Sequence, residues 1–150
     1  MKRTLSTKVL MSVVGITVIA GAGIAYTLIT QNDQQMLTSN SIRIKERGAA
    51  LYSENCLSCH GDQQAELVFG QPPPHNSEGH TWHHADGELK KWILKGKPYN
   101  MPAFGETLSE ADVEAILGFI KTWWDPNQRK TQARVSEQYE EMMKKYPQDQ

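Results

Sequence analysis

Acidic residues are absent from the first 32 positions of this chain, where Lys2, Arg3 and Lys8 stand without a counter-charge until Asp33. Cysteine is nearly absent too: Cys56 and Cys59 are the whole supply, so neither is spare for a second task. No alternating apolar–polar run of strand type occurs after residue 30, and no internal repeat is visible, which points to an all-α domain. An excess of basic charge is also lacking. Beyond residue 30 there are 13 Lys and Arg against 17 Asp and Glu, a balance that argues against a nucleic-acid surface.

What is present begins with a run of 21 uncharged residues, 9–29, rich in Val, Ile, Leu, Ala and Gly. As a helix it would span roughly 31 Å, about the thickness of a bilayer core. A cleavable signal has a shorter apolar stretch, and a cut after Ala20-Gly21-Ala22 would leave 24–29 as an exposed apolar tail. Residues 1–30 therefore read as an uncleaved single-pass anchor, with a cleaved signal as the alternative. The basic flank stays cytoplasmic, which puts the rest of the chain on the periplasmic or other extracytoplasmic side of the cytoplasmic membrane.

Residues 31–40 are polar and read as a tether. From 41 onward, Ile42, Ile44, Gly48, Leu51 and Tyr52 fall at helical spacing and lead into the cysteine pair. The stretch 62–79, with Pro72-Pro73-Pro74, reads as loop. A short helix is expected from Asp86, with Leu89, Trp92 and Ile93 on one face and Gly96 and Pro98 as stop signals. Ser109 and Asp112 have capping-box spacing ahead of the stripe Val113, Ile116, Leu117, Ile120 and Trp124. Asp125-Pro126 opens an extension, 125–150, in which Val135, Tyr139, Met142 and Tyr146 recur at helical steps. Periodicity does not decide whether it packs back on the domain or meets a partner.

Cys56-Leu57-Ser58-Cys59-His60 is the sharpest signal. CxxCH is the attachment pattern for a c-type haem, because one helical turn presents two thiols side by side and aims the adjacent imidazole at the iron. A thioredoxin-like dithiol wants a βαβ context that is missing. A zinc site wants four ligands, which Cys56, Cys59 and two of His75, His80, His83 and His84 would have to supply. A disulfide across two intervening residues closes too small a loop to stabilise much. One covalently attached haem c is the reading that the flanking apolar helices favour.

The order of a helix entering CxxCH, an Asn-Met-Pro-Ala-Phe segment at 100–104 and an amphipathic last helix resembles the class I cytochromes c, over residues 41–124. The resemblance implies that the first and last core helices cross closely, with Gly48 against Phe119 and Tyr52 one turn on. It implies His60 and Met101 as the two axial ligands of the iron. It also implies a proline carbonyl on the Nδ1–H of His60, for which Pro72, Pro73 and Pro74 are equal candidates. The leucine usual just after that proline is replaced here by Pro74 or His75. Two protein ligands leave the iron no open position, so the resemblance implies a one-electron carrier between redox partners rather than an enzyme with a small-molecule substrate. The alternatives are an open-site haem enzyme or gas sensor, or a metal-binding module built on the histidine-rich loop. In that loop, Trp82 is a candidate to reach a haem propionate through its N–H, and His80, His83 or His84 to bind copper or a propionate. Lys90, Lys91, Lys95 and Lys97 form either a docking cluster for redox partners or a solvated helix face.

Overall fold

The computed structural model describes residues 33–97 and 101–146. The anchor expected at 9–29 lies outside them, and among the described residues no helix is long and apolar enough to cross a membrane. Contacts divide the chain into two units, 1–42 and 43–150.

Residues 33–55 are helical (α1), so the tether read at 31–40 is helix from 33 onward. Polarity there signals the lack of a buried face rather than the lack of a helix. Its hydroxyls fold back on the backbone: Thr38 Oγ1 donates to the Gln34 carbonyl and Ser39 Oγ to that of Gln35. Ile42 and Ile44, which fall at helical spacing with Gly48, Leu51 and Tyr52, stay about half exposed, and burial starts at Gly48.

In the second unit, α1 is followed by one turn, α2 (Leu57–His60), then α3 (Asp86–Lys95), α4 (Glu110–Ile120) and α5 (Pro126–Lys145). Short 3-10 turns at Thr81–His83 and Lys121–Trp123 join them, and no strand occurs among the described residues beyond an isolated bridge between Lys97 and Met101. The all-α expectation holds for these residues.

The stripe read from α4 is the centre of the core: Val113, Ile116, Leu117, Ile120 and Trp124 are all buried, with Tyr52, Cys56, Leu89 and Leu108 around them. Burying each such aliphatic contributes ~1.5–3 kcal/mol, so α4 is the element on which the others assemble. Its N-terminus is closed by the Ser109–Asp112 capping box. Arg47 of α1 adds a second partner to the same carboxylate, its Nε donating to Asp112 Oδ1 at 2.8 Å. One turn away α1 touches α4 backbone to backbone. A Cβ on Gly48 would sit 2.0 Å from the Ala115 carbonyl oxygen and 3.0 Å from Phe119 Cβ. Only a missing side chain permits that approach, and overpacking such a contact costs about 1–3 kcal/mol.

The extension after Trp124 packs back on the domain. Asp125 caps α5 in a second box with Gln128, and Pro126 fits the first turn, where an N–H is not needed. The apolar stripe read from its sequence is not what it buries. Met142 and Tyr146 are exposed, and Val135 and Tyr139 only half-buried, while polar Gln132 and Ser136 are buried. Gln132 Nε2 donates to Asp86 Oδ1 at 2.7 Å and reaches Ser136 Oγ at 2.9 Å, and Ser136 Oγ accepts from the Asp86 N–H at 3.0 Å. This knot gives the first N–H of α3 an acceptor, at a helix start that has no capping side chain of its own.

The Ser109 hydroxyl first, then the Arg47 guanidinium, hold the Asp112 carboxyl below the usual carboxylate range. A lowered folded-state pKa stabilises the fold above the unfolded value, ~3.9, and that contribution fades as pH falls through the lower folded value. Asp112→Asn is therefore expected to lower the thermal midpoint at neutral pH. The gap to the unmodified protein should narrow as pH drops below ~4, as read by circular-dichroism melts across pH.

Candidate functional site

The site is built where α1 runs out. Tyr52, buried at the end of α1, donates its hydroxyl to the Gly61 carbonyl at 2.8 Å, closing the CxxCH turn against the helix that precedes it. Its ring packs edge-on to Trp123 at 5.1 Å and lies 5.7 Å from Phe119. Burial, then Cys56, push the Tyr52 phenol up, so it acts as a neutral donor. Within the turn Cys56 is buried and Cys59 exposed. Burial first, then Cys59, push the Cys56 thiol up to about 11, so it is protonated at neutral pH.

The imidazole of His60 is fixed from one side. Its Nδ1 lies 2.8 Å from the Pro73 carbonyl oxygen. A carbonyl only accepts, so Nδ1 carries the proton and the lone pair sits on Nε2. Of the three prolines left open by the sequence, the structure picks Pro73; Pro74 is buried behind it. The loop bearing these prolines is tied to the segment after the CxxCH turn by Asn76, which sequence reasoning missed. Asn76 Nδ2 donates to the carbonyls of Gln63 and Ala65, and its Oδ1 accepts from the N–H of Glu78. An asparagine in a polar loop gives no periodic signal; only its burial marks it.

His75 is the second residue that the sequence undersold. Its ring stacks on that of His60, centroids 4.0 Å apart and planes 27° from parallel. Burial, then His60 and His80, push its pKa down to about 3, so it is neutral.

Met101 lies in an irregular segment clamped onto the end of α3. Lys97 and Met101 exchange both backbone hydrogen bonds at 3.0 Å, and the Phe104 and Gly105 N–H groups cap the Ile93 and Leu94 carbonyls. Gly96 makes this seat possible. Its φ of 77° and ψ of 172° belong to a region essentially reserved for glycine, and a Cβ there would lie 2.9 Å from the Met101 carbonyl oxygen.

The family model described as "Cytochrome C oxidase, cbb3-type, subunit III" matches residues 44–120. The chain belongs to this family. Among curated proteins it is similar to a "Cbb3-type cytochrome c oxidase subunit CcoP" of Azospirillum brasilense, 28% identical over 79 residues, or 50% of this chain. It spans only 27% of that relative's length. No solved structure matches.

The protein is thus a class I c-type cytochrome, and its cofactor is a covalently bound haem c. The chemistry of the donor set fits that group: two thiols on one turn, an imidazole with one nitrogen committed to a carbonyl and the other available, and a thioether held in a clamped segment. Among the described residues no group of three or more His, Cys, Asp or Glu side chains is arranged to hold an ion. Trp82 Nε1 donates to the Gly79 carbonyl at 3.0 Å, and its ring is stacked on His83. His84 pairs through Nδ1 with Glu88 at 2.9 Å. The lysine cluster also divides: Lys90 pairs with Glu114, and Lys97 lies over the Trp92 ring, while Lys91 and Lys95 are exposed.

Gly96→Ala is expected to cost ~1–3 kcal/mol through backbone strain and to disturb the Met101 segment selectively. Proteolysis should show faster cleavage between 97 and 105 in the variant, with the α5 end of the chain as resistant as before.

Proposed function

We propose that this cytochrome is a one-electron carrier in which Cys56 and Cys59 hold the porphyrin and His60 and Met101 are the axial ligands of its iron. The haem supplies the one-electron couple when bound. The observation that carries this reading is the 2.8 Å contact between His60 Nδ1 and the Pro73 carbonyl oxygen, which leaves Nε2 as the ligand atom before any metal arrives. The Lys97–Met101 bridge and the α3 carbonyl caps restrain the segment that would supply the thioether. Ligands fixed in this way change little between oxidation states, which suits electron transfer. With both axial positions filled by side chains the iron has no vacancy for oxygen, peroxide or substrate, so the protein is a carrier rather than an enzyme.

The family supports placing it in a respiratory chain that ends in a membrane oxidase. In this reading residues 9–29 anchor the domain as a single pass, with the haem on the periplasmic side. Tethering raises the local concentration of the carrier near its donor and acceptor. Lys91 and Lys95 are the exposed members of the α3 lysine cluster, and they suit the steering of an acidic redox partner.

Met101→Ala tests the assignment. The ferric protein should show a weak far-red sulfur-to-iron charge-transfer band that the variant loses, and only the variant should bind carbon monoxide readily when reduced. Ready carbon monoxide binding by the unmodified ferrous protein would instead establish an open-site haem.

A further inference from the structure

The ring of His75 fills the place directly against the ring of His60, and an aliphatic side chain would serve there if space-filling were all that was required. The contacts around His75 fix more than volume. Its Nδ1 shares a 2.8 Å hydrogen bond with Thr81 Oγ1, and Thr81 is itself buried at the start of a 3-10 turn. Its carbonyl accepts from Trp124 Nε1 at 2.8 Å, which ties its backbone to the end of the core stripe. Tyr52 meets its ring nearly at right angles, centroids 6.0 Å apart. Side chain, backbone and ring edge are each held by a different segment of the fold. The outcome of that restraint is a single feature, a plate lying 27° from parallel to the His60 imidazole.

The Pro73 hydrogen bond fixes one atom of the His60 ring but leaves a rocking motion about that contact. A stacked plate opposes that motion, because tilting either ring breaks the face-to-face contact. The plane of an axial imidazole governs how the iron d orbitals split, and its restraint and surroundings tune the reduction potential.

We propose that His75 is a positioning residue for the axial imidazole: held by Thr81 and Trp124, it sets the ring plane of His60 and through it the ligand field of the haem. This rests on the assignment of His60 as the proximal ligand. The role needs the ring and its anchor rather than its charge.

The test uses the purified holoprotein and three substitutions. His75→Phe keeps an aromatic plate, His75→Ala removes it, and Thr81→Val removes only the anchoring hydroxyl. Ferric electron paramagnetic resonance g-values and the midpoint potential are read, with the thermal midpoint as a separate measure of packing. His75→Ala should shift the g-values and change the one-electron reduction equilibrium by at least about threefold, roughly 30 mV at 59 mV per decade. His75→Phe and Thr81→Val each keep a ring and lose the Thr81 hydrogen bond, so both should move the g-values in the direction of His75→Ala, by less than His75→Ala does. If His75→Ala fails to fold, Thr81→Val carries the test by the same criterion. Variants that melt earlier yet keep unaltered g-values and potential would reduce His75 to ordinary packing and overturn the proposal. An unmodified protein without a low-spin haem signal would instead overturn the ligand assignment itself. That failure is distinguishable because it is seen before any substitution is made.

Discussion

An imidazole presents one lone pair at a time, and the Pro73 carbonyl decides which nitrogen of His60 offers it. The rest of the second unit can be understood as what is needed to keep that carbonyl and that ring together. The proline loop has no regular hydrogen-bonded structure of its own, so Asn76 ties it to the segment after the CxxCH turn. Trp124, at the end of the apolar stripe, ties it to the core through the His75 carbonyl. The CxxCH turn is held in its turn by Tyr52, whose helix is seated on α4 by the close approach at Gly48 and by the Arg47–Asp112 ion pair. The CxxCH turn and the proline loop are thus fastened by side chains from elsewhere in the fold, and the segment of Met101 by backbone hydrogen bonds to the end of α3.

The helix α5 extends this logic. It is a polar helix, and it holds the domain by hydrogen bonding rather than by an apolar face. Ser136 accepts the first N–H of α3, Gln132 holds the Asp86 carboxylate, and Arg129 reaches the Trp124 carbonyl. Since α3 ends in the clamp that carries Met101, the extension braces the element that carries one of the proposed ligand segments. A buried knot of this kind is sensitive to its members, because leaving one donor or acceptor without a partner costs about 1–3 kcal/mol.

Much of this was legible in the amino-acid order because the relevant signals are local. The cysteine–histidine spacing, the Ser109–Asp112 capping box and the α4 stripe are all written within a few residues of where they act, while the close approach at Gly48 followed only from the family resemblance. Pro73 could not be singled out, since three consecutive prolines offer the same carbonyl and only the fold decides which one faces His60. The burial of Gln132, Ser136 and Asn76 was invisible for a related reason. Hydrophobic periodicity finds apolar faces, and these side chains are buried by satisfied hydrogen bonds instead. The helical conformation of residues 33–40 was invisible as well, because a helix with no apolar face leaves no periodic mark.

The proposed function requires a closed iron, held by an imidazole and a thioether. X-ray absorption at the iron edge of the reduced, unmodified protein addresses it most directly. A sulfur scatterer at bonding distance beside the nitrogens is the expected result. A first shell of nitrogen or oxygen alone would contradict it.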